Sequence, residues 1–506
     1  MDPTYPGVYI EEVPSSVRTI TGVATSITAF VGRALKGPAD KALMIHNFAD
    51  FERLYGGLWK KSNMSYAVYQ YFQNGGMEAV IVRVAKNAAE ATFTTTKNGP
   101  TLKAANPGKW GEDLVIVIND ADVDKLKEDE TYFNLIVQQK SDDPKKTGPV
   151  LEMFRNVSLD PASLRFIGKL LVDGVSTYLR VDGAVPSSTS PLSSDADYKS
   201  NNVASNGVPL DAGAVTGDPD VKSGIYSLKN VDLFNLLCIP AYDEPDTRSK
   251  MYAEALAFCN ERRAILLVDP PAGASSWSKM EEVPADLSSY VDRDKNGAIF
   301  FPRIMAPDPL EEYRLRDFDP CGAVAGVIAR IDASRGIWKA PAGIEATLMG
   351  VPDLAVRMTD QENGLLNPKG INCLRILPDA GCVIWGSRTL RGADNLSDQW
   401  KYLPVRRTAL YIEESLYRGT QWVVFEPNDE KLWSQIRLNV GTFMYSLFTK
   451  GAFQGTDPKK AYFVKCDSET TTQNDINKGI VNILVGFAPL KPAEFIIIKI
   501  QQMAGQ

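Results

Sequence analysis

The chain has 506 residues, 44% of them hydrophobic and 23% charged, with a formal net charge of −7. Such a length exceeds one ordinary core and predicts two to four domains of a folded protein, and the acidic balance argues against a nucleic-acid binder that relies on global charge. Six scattered cysteines form no CxxC pair and read as reduced, mostly buried thiols, while the single histidine, His46, removes multi-histidine metal sites and most routes to a Ser-His-Asp triad.

Residues 1–20, MDPTYPGVYIEEVPSSVRTI, read as an N-terminal arm with a β pattern whose contact residues are Val8, Tyr9, Ile10 and Val13. Acids at Asp2, Glu11 and Glu12 and the lack of a basic-then-apolar order predict no signal peptide. Residues 21–87 open an α/β core. Strands are expected within 23–34, 38–45 and 78–84. A helix capped by Asn47 or Asp50 runs through Leu54, and a second covers 65–72 and stops at Asn74-Gly75-Gly76. His46, between a strand and a helix, reads as a structural or surface residue.

Residues 88–230 change character and predict an inserted, outward-facing, mainly-β domain with strands at 92–96, 114–118 and 132–138. The Ser/Asp/Asn/Gly/Pro-rich stretch 184–224 reads as a long surface excursion. Residues 231–386 resume the α/β pattern. Strands are expected at 233–239, 264–268, 297–301 and 381–386. One helix starts from Asp246 and runs to about Arg262, and a Gly/Ala-rich helix over 322–332 allows close packing.

Residues 387–492 form a C-terminal domain of their own. It has a helix over 405–417, a strand over 421–425, and a long helix capped by Asn428 or Asp429 that runs to about Lys450 and is stopped by Gly451. Residues 493–506 are a C-terminal arm strand carrying Phe495, Ile496, Ile497, Ile498 and Ile500. Left unpaired, such a strand invites aggregation, so it requires a partner. Burying those five side chains is worth roughly 8–15 kcal/mol before ordering costs. Pro14, Pro489 and Pro492 flank the arms and can set their exit directions.

No chemistry is grafted onto this α/β scaffold. The chain has no GxxxxGK[ST], no GxGxxG after a strand and no GxSxG. Asp269 and the Asp243-Glu244 pair follow strand ends, and read as turns and helix caps rather than as a catalytic pair without a base, metal or nucleophile. Arg406-Arg407 with Glu413-Glu414 read as solvated or interface charges. The expectation is therefore no catalytic, cofactor-binding or metal residues, no cofactor, and no membrane span, since no run of about 18 apolar residues occurs. An α/β hydrolase or transferase is the competing class, and an activity lost on replacing Asp243 or Asp269 would favour it.

The chain resembles the sheath proteins of contractile injection machines: phage tails, R-type pyocins and phage-tail-like toxin-delivery particles. The resemblance is carried by Tyr5-Pro-Gly-Val-Tyr-Ile-Glu-Glu-Val13, Thr25-Ser-Ile-Thr-Ala-Phe-Val-Gly32 and Trp338-Lys-Ala-Pro-Ala-Gly343. It is strongest in Val405-Arg-Arg407, Tyr411-Ile-Glu-Glu-Ser415 and Gln421-Trp-Val-Val-Phe-Glu-Pro-Asn-Asp429. It ends with Phe463-Val-Lys-Cys-Asp467, Gly486-Phe-Ala-Pro489 and Lys491-Pro-Ala-Glu-Phe-Ile496. Each motif alone is weak, and their order over most of the chain outside 88–230 is specific.

The resemblance implies a helical stack of six-subunit rings around an inner tube, with terminal β arms exchanged between subunits. It implies contraction that drives the tube through a target envelope without cofactor or ATP. The implied partners are other copies of the chain, the inner tube protein, and baseplate and terminator or cap proteins, with no nucleic acid and no direct membrane insertion. Assembly is expected in the bacterial cytoplasm. Lys450, Lys459 and Lys460 become candidate inner-tube contacts, against a reading in which they are solvated lysines beside a core helix. A cap or baseplate component sharing the fold, and a sheath split over two chains, are the alternatives within this class.

Overall fold

The computed structural model describes residues 18–95, 99–120, 132–141, 143, 146–186, 196–240, 248–270 and 290–497. Thr28–Gly32, Ala79–Arg83, Ile265–Val268 and Gly297–Phe301 are buried at every position, the pattern of strands covered on both faces. They belong to an eight-stranded sheet in the order Gly381–Ile384, Ile371–Leu377, Gly297–Phe301, Ile265–Val268, Leu236–Cys238, Thr28–Gly32, Ala79–Arg83, Leu43–Ile45. The six inner strands run parallel and the two edge strands antiparallel.

Alternation along each strand splits the core in two. Phe30, Ile81, Leu236 and Phe300 pack on one face with the helices Asn63–Gln73 and Cys321–Arg335. Val31, Val80, Leu237 and Leu266 pack on the other with the helix Arg248–Arg262. The expected close packing of the glycine-rich helix is present. A Cβ at Gly322 would overlap the backbone of Ala67, and one at Gly326 would overlap the carbonyl of Tyr71. The six cysteines carry free thiols and are all buried.

Residues between Thr92 and Tyr198 build two antiparallel sheets, one of four strands and one of three, around a core of their own that includes Phe93, Ile116, Leu135, Val157 and Leu179. The stretch 184–224 is not all surface. Ala204 belongs to this β core, while Leu210, Ala212 and Val215 bury against the α/β sheet. A few apolar residues spaced among polar ones suffice to dock it, which composition alone conceals.

The last third centres on two helices, Leu403–Gly419 and Glu430–Thr449, the second capped by Asp429, whose carboxylate accepts from the Leu432 N–H at 2.9 Å. Leu432, Trp433, Ile436, Val440, Phe443, Met444 and Leu447 of that helix are buried in a separate cluster, as its periodicity predicts. The strand expected at 421–425 is instead a 3-10 turn over Gln421–Val423, followed by Phe425 at a positive φ of 70°, which an extended strand cannot contain. The apolar run QWVVF has β propensity, but the helix end at Thr420 and the Asp429 cap leave too little chain for a paired strand. Tyr462–Lys465 and Leu484–Phe487 then pair as a two-stranded antiparallel ribbon.

Candidate assembly surface

The C-terminal arm leaves the body at a charged clamp. Arg388 lies inside the fold with its side chain fully buried, and its Nε and Nη2 donate to the two carboxylate oxygens of Glu494 at 2.9 and 2.5 Å. Its Nη1 donates to the carbonyls of Asn367 and Gly392 and to Asp394 Oδ1, and the Tyr402 hydroxyl also reaches Glu494 at 3.4 Å. The bidentate fork fixes direction as well as position. Immediately beyond it Phe495, Ile496 and Ile497 are 74%, 82% and 82% exposed. Among the described residues, 490–497 pair with no strand. Ile498 and Ile500, and Val8, Tyr9, Ile10 and Val13 of the N-terminal arm, lie outside the described residues.

The Tyr462–Lys465/Leu484–Phe487 ribbon pairs with no third strand among the described residues, and it exposes Phe463 and Leu484. A two-stranded ribbon is marginal alone and carries two unpaired edges. Lys450 ends the long helix, Lys459 and Lys460 sit on the adjoining Pro458–Ala461 turn of helix, and all three are exposed with no ion pair among the described residues.

Asp269 is sealed in the core. Its Oδ1 accepts the N–H of Cys321 at 2.9 Å and so tethers a strand end to the start of the 321–335 helix. Burial, reinforced by the Asp319 carboxylate, pushes its carboxyl up to about 8. Asp319 is held by Arg303, which also binds Asp317. Asp269 therefore fits the cap reading and meets no solvent, while Asp243-Glu244 lies outside the described residues.

Of the arginine and glutamate cluster, Arg406, Arg407 and Glu414 are buried and Glu413 is exposed. Arg407 and Asp332 form a buried pair at 2.5 Å, and Arg407 also donates to the Thr25 carbonyl. Arg406 donates to Asn296 and Glu413, and Glu414 joins Arg263 and Arg418. These bonds fasten the Leu403–Gly419 helix to the α/β body. Asp332, Asn296 and Arg263 come from distant segments that the local sequence could not reveal, whereas Glu413 and Arg418 lie on the same helix. His46 is a surface residue, 3.9 Å from Glu78.

Two surface features escaped the sequence reading. One is the fully exposed Phe425 beside exposed Val424. The other is a cavity of about 680 Å³ walled by Trp338, Trp385 and the arm residues 490–495. Among the described residues no group of His, Cys, Asp and Glu could hold a metal, and no helix is long and apolar enough to cross a membrane.

A clamped arm, an open-edged ribbon and exposed aromatics are features of a structural subunit. Comparison with protein families agrees. Residues 214–390 match the phage tail sheath protein central domain and residues 396–503 the phage tail sheath C-terminal domain, together more than half of the chain. The chain belongs to the phage tail sheath family.

Solved structures share its fold. The sheath of an extracellular contractile injection system, PVC, in the contracted state is 22% identical, with 99% of this chain and 98% of that one covered and a TM-score of 0.60. The contracted helical sheath of the anti-feeding prophage is 24% identical over 99% and 100%, with a TM-score of 0.59. The sheath tail protein of Listeria innocua is 14% identical over 93% and 96%, with a TM-score of 0.60. A comparison with curated protein sequences found no match.

Proposed function

We propose that this chain is the structural sheath subunit of a contractile injection machine, polymerising around an inner tube and contracting to drive it through a target envelope. The observation that carries the mechanism is the abrupt change at Glu494. The chain is held by a bidentate pair to a buried arginine, and the next three residues are large, apolar and exposed. A tail that were merely loose would have no such anchor, and one that belonged to its own core would be covered.

The open ribbon at Tyr462–Lys465 and Leu484–Phe487 is the acceptor we assign to the arms of neighbouring copies. Strand addition there supplies main-chain hydrogen bonds, and Phe463 and Leu484 supply apolar contacts. Repeated head-to-tail contacts that do not close build a helix. Rings of six, a baseplate and a terminator are the partners expected of such a helix. Assembly takes place in the bacterial cytoplasm, and firing draws on energy stored in the extended state, without cofactor or catalysis. Lys450, Lys459 and Lys460 face the tube through weak, screened contacts that release on contraction. Reversing their charges should weaken co-sedimentation with the tube, and unaltered binding would remove them from that role.

Negative-stain microscopy of the purified chain tests the reading. Hollow tubes are expected from the full chain. Deleting residues 495–506, which keeps Glu494 in its clamp, should leave a folded monomer that forms none. A chain that stays monomeric at high concentration, or tubes that persist after the deletion, would overturn the proposal.

A further inference from the structure

Phe425 combines two properties that a folded chain rarely tolerates together. It is a bulky residue at φ 70°, and its side chain is 102% exposed. Backbone strain of this kind persists only where the surroundings enforce it, and it collects at functional positions. Here the surroundings do enforce it. Before the tip, the Arg18 guanidinium stacks on the Trp422 ring at 4.8 Å. After it, Asn428 accepts from the Trp433 indole at 2.8 Å and donates to the Ile480 carbonyl at 3.0 Å, and Asp429 caps the long helix. Val424, Phe425 and Glu426 form the exposed tip, and the Glu426 carboxylate makes no ion pair among the described residues.

At the other end of the same helix lies the cavity of about 680 Å³, with Gly451 in its wall. It offers the rings of Trp338 and Trp385, a small apolar surface at Ala340 and Ala342, and the cations Lys339 and Lys491. Lys491 is exposed and has no ionic partner among the described residues, and the buried Ser387 Oγ in the wall has no hydrogen-bond partner among them. Tip and cavity are thus complementary: an aromatic knob beside a free carboxylate, and an aromatic-walled hole beside a free ammonium. Glu430–Thr449 is 20 residues long, so it separates them by roughly 30 Å at 1.5 Å per residue. They cannot meet within one molecule, and a knob at one end with a hole at the other makes a contact that propagates.

We infer that the Val424–Phe425–Glu426 tip of one copy seats in this cavity of the next, with Phe425 against the indoles of Trp338 and Trp385 and Glu426 against Lys491. The inference rests on the sheath reading and deepens it, since it names a subunit contact separate from the arms. Aromatic anchors in pockets carry most of the affinity of such contacts, and the flanking charge pair sets register.

The test is polymerisation of the full chain without tube, followed by sedimentation and negative stain. F425A should raise the concentration needed for polymer at least tenfold while the monomer's Tm stays unchanged. E426K and K491E should each weaken assembly, and E426K/K491E together should restore it. Wild-type polymer that is indifferent to F425A, or a charge swap no better than its single variants, overturns this inference alone. A defect that appears only when tube is added also overturns it, because Phe425 would then touch the tube. Wild-type chain that forms no polymer overturns the sheath reading and this contact with it.

Discussion

Replacing Glu494 with alanine separates the anchoring of the C-terminal arm from its pairing. In the intact chain the Arg388 guanidinium shares five of its hydrogen bonds among Glu494, Asn367, Gly392 and Asp394, two of them going to Glu494. Stripping one partner from a buried ion pair costs about 3–5 kcal/mol, because the remaining charge stays desolvated. Asp394 still answers part of that charge here, and departure of the arm lets water into the cavity it walls. The loss should therefore fall to about 2–3 kcal/mol and appear as release of the arm rather than as global unfolding.

That is a factor of roughly 30–140 in the open population. Chymotryptic cleavage after Phe495 reads it directly, since proteolysis of a transiently opened segment tracks the population of the open form when closing is fast. E494A should be cut that much faster than wild type, with E494Q between them. Acceleration below about threefold, or equal rates for E494A and E494Q, would show that the pair does not hold the arm and would refute the reasoning.

Three further outcomes are expected. The carboxyl of Asp269 is raised to about 8 from an unfolded value near 3.8, so the folded chain holds a proton that the unfolded chain releases between those values, and its contribution to stability declines as pH rises from about 4 to about 8. D269N should flatten that decline in Tm, whereas parallel wild-type and D269N curves would contradict it. R407A leaves Asp332 buried without its bidentate partner and should cost about 3–5 kcal/mol in urea unfolding, with a loss below about 1 kcal/mol counting against a structural pair. G322A forces a methyl into the backbone of Ala67 and should cost about 1–3 kcal/mol in the same assay, and a neutral result would mean that the two helices can separate freely.

Much of the fold was legible because the signals were local. Fully apolar runs such as Ile265–Val268 became inner parallel strands, Asn47 and Asp429 capped the helices they precede, and the 3.6-residue period of Glu430–Thr449 matched its buried face. What escaped was set by distance. Arg388 and Glu494 are 106 residues apart, and Arg407 and Asp332 are 75 apart, so no window along the chain contains either pair. The Gln421–Phe425 run failed for a different reason: two helix boundaries close around it overrode its β propensity. The exposed residues Phe495–Ile497 were legible as an apolar end, but the clamp that precedes them was not.

The six buried thiols have a consequence for where such a particle can work. Burial pushes Cys466 up to about 11 and Cys373 and Cys382 up to about 12, and raises Cys238, Cys259 and Cys321 as well. At neutral pH almost none of the nucleophilic thiolate exists, and no cysteine sulfur lies at the surface to meet an oxidant. Its cysteines are therefore chemically quiet toward disulfide exchange and oxidation. A filament built from it under reducing conditions can enter oxidising surroundings without gaining a crosslink that would seize neighbouring copies together.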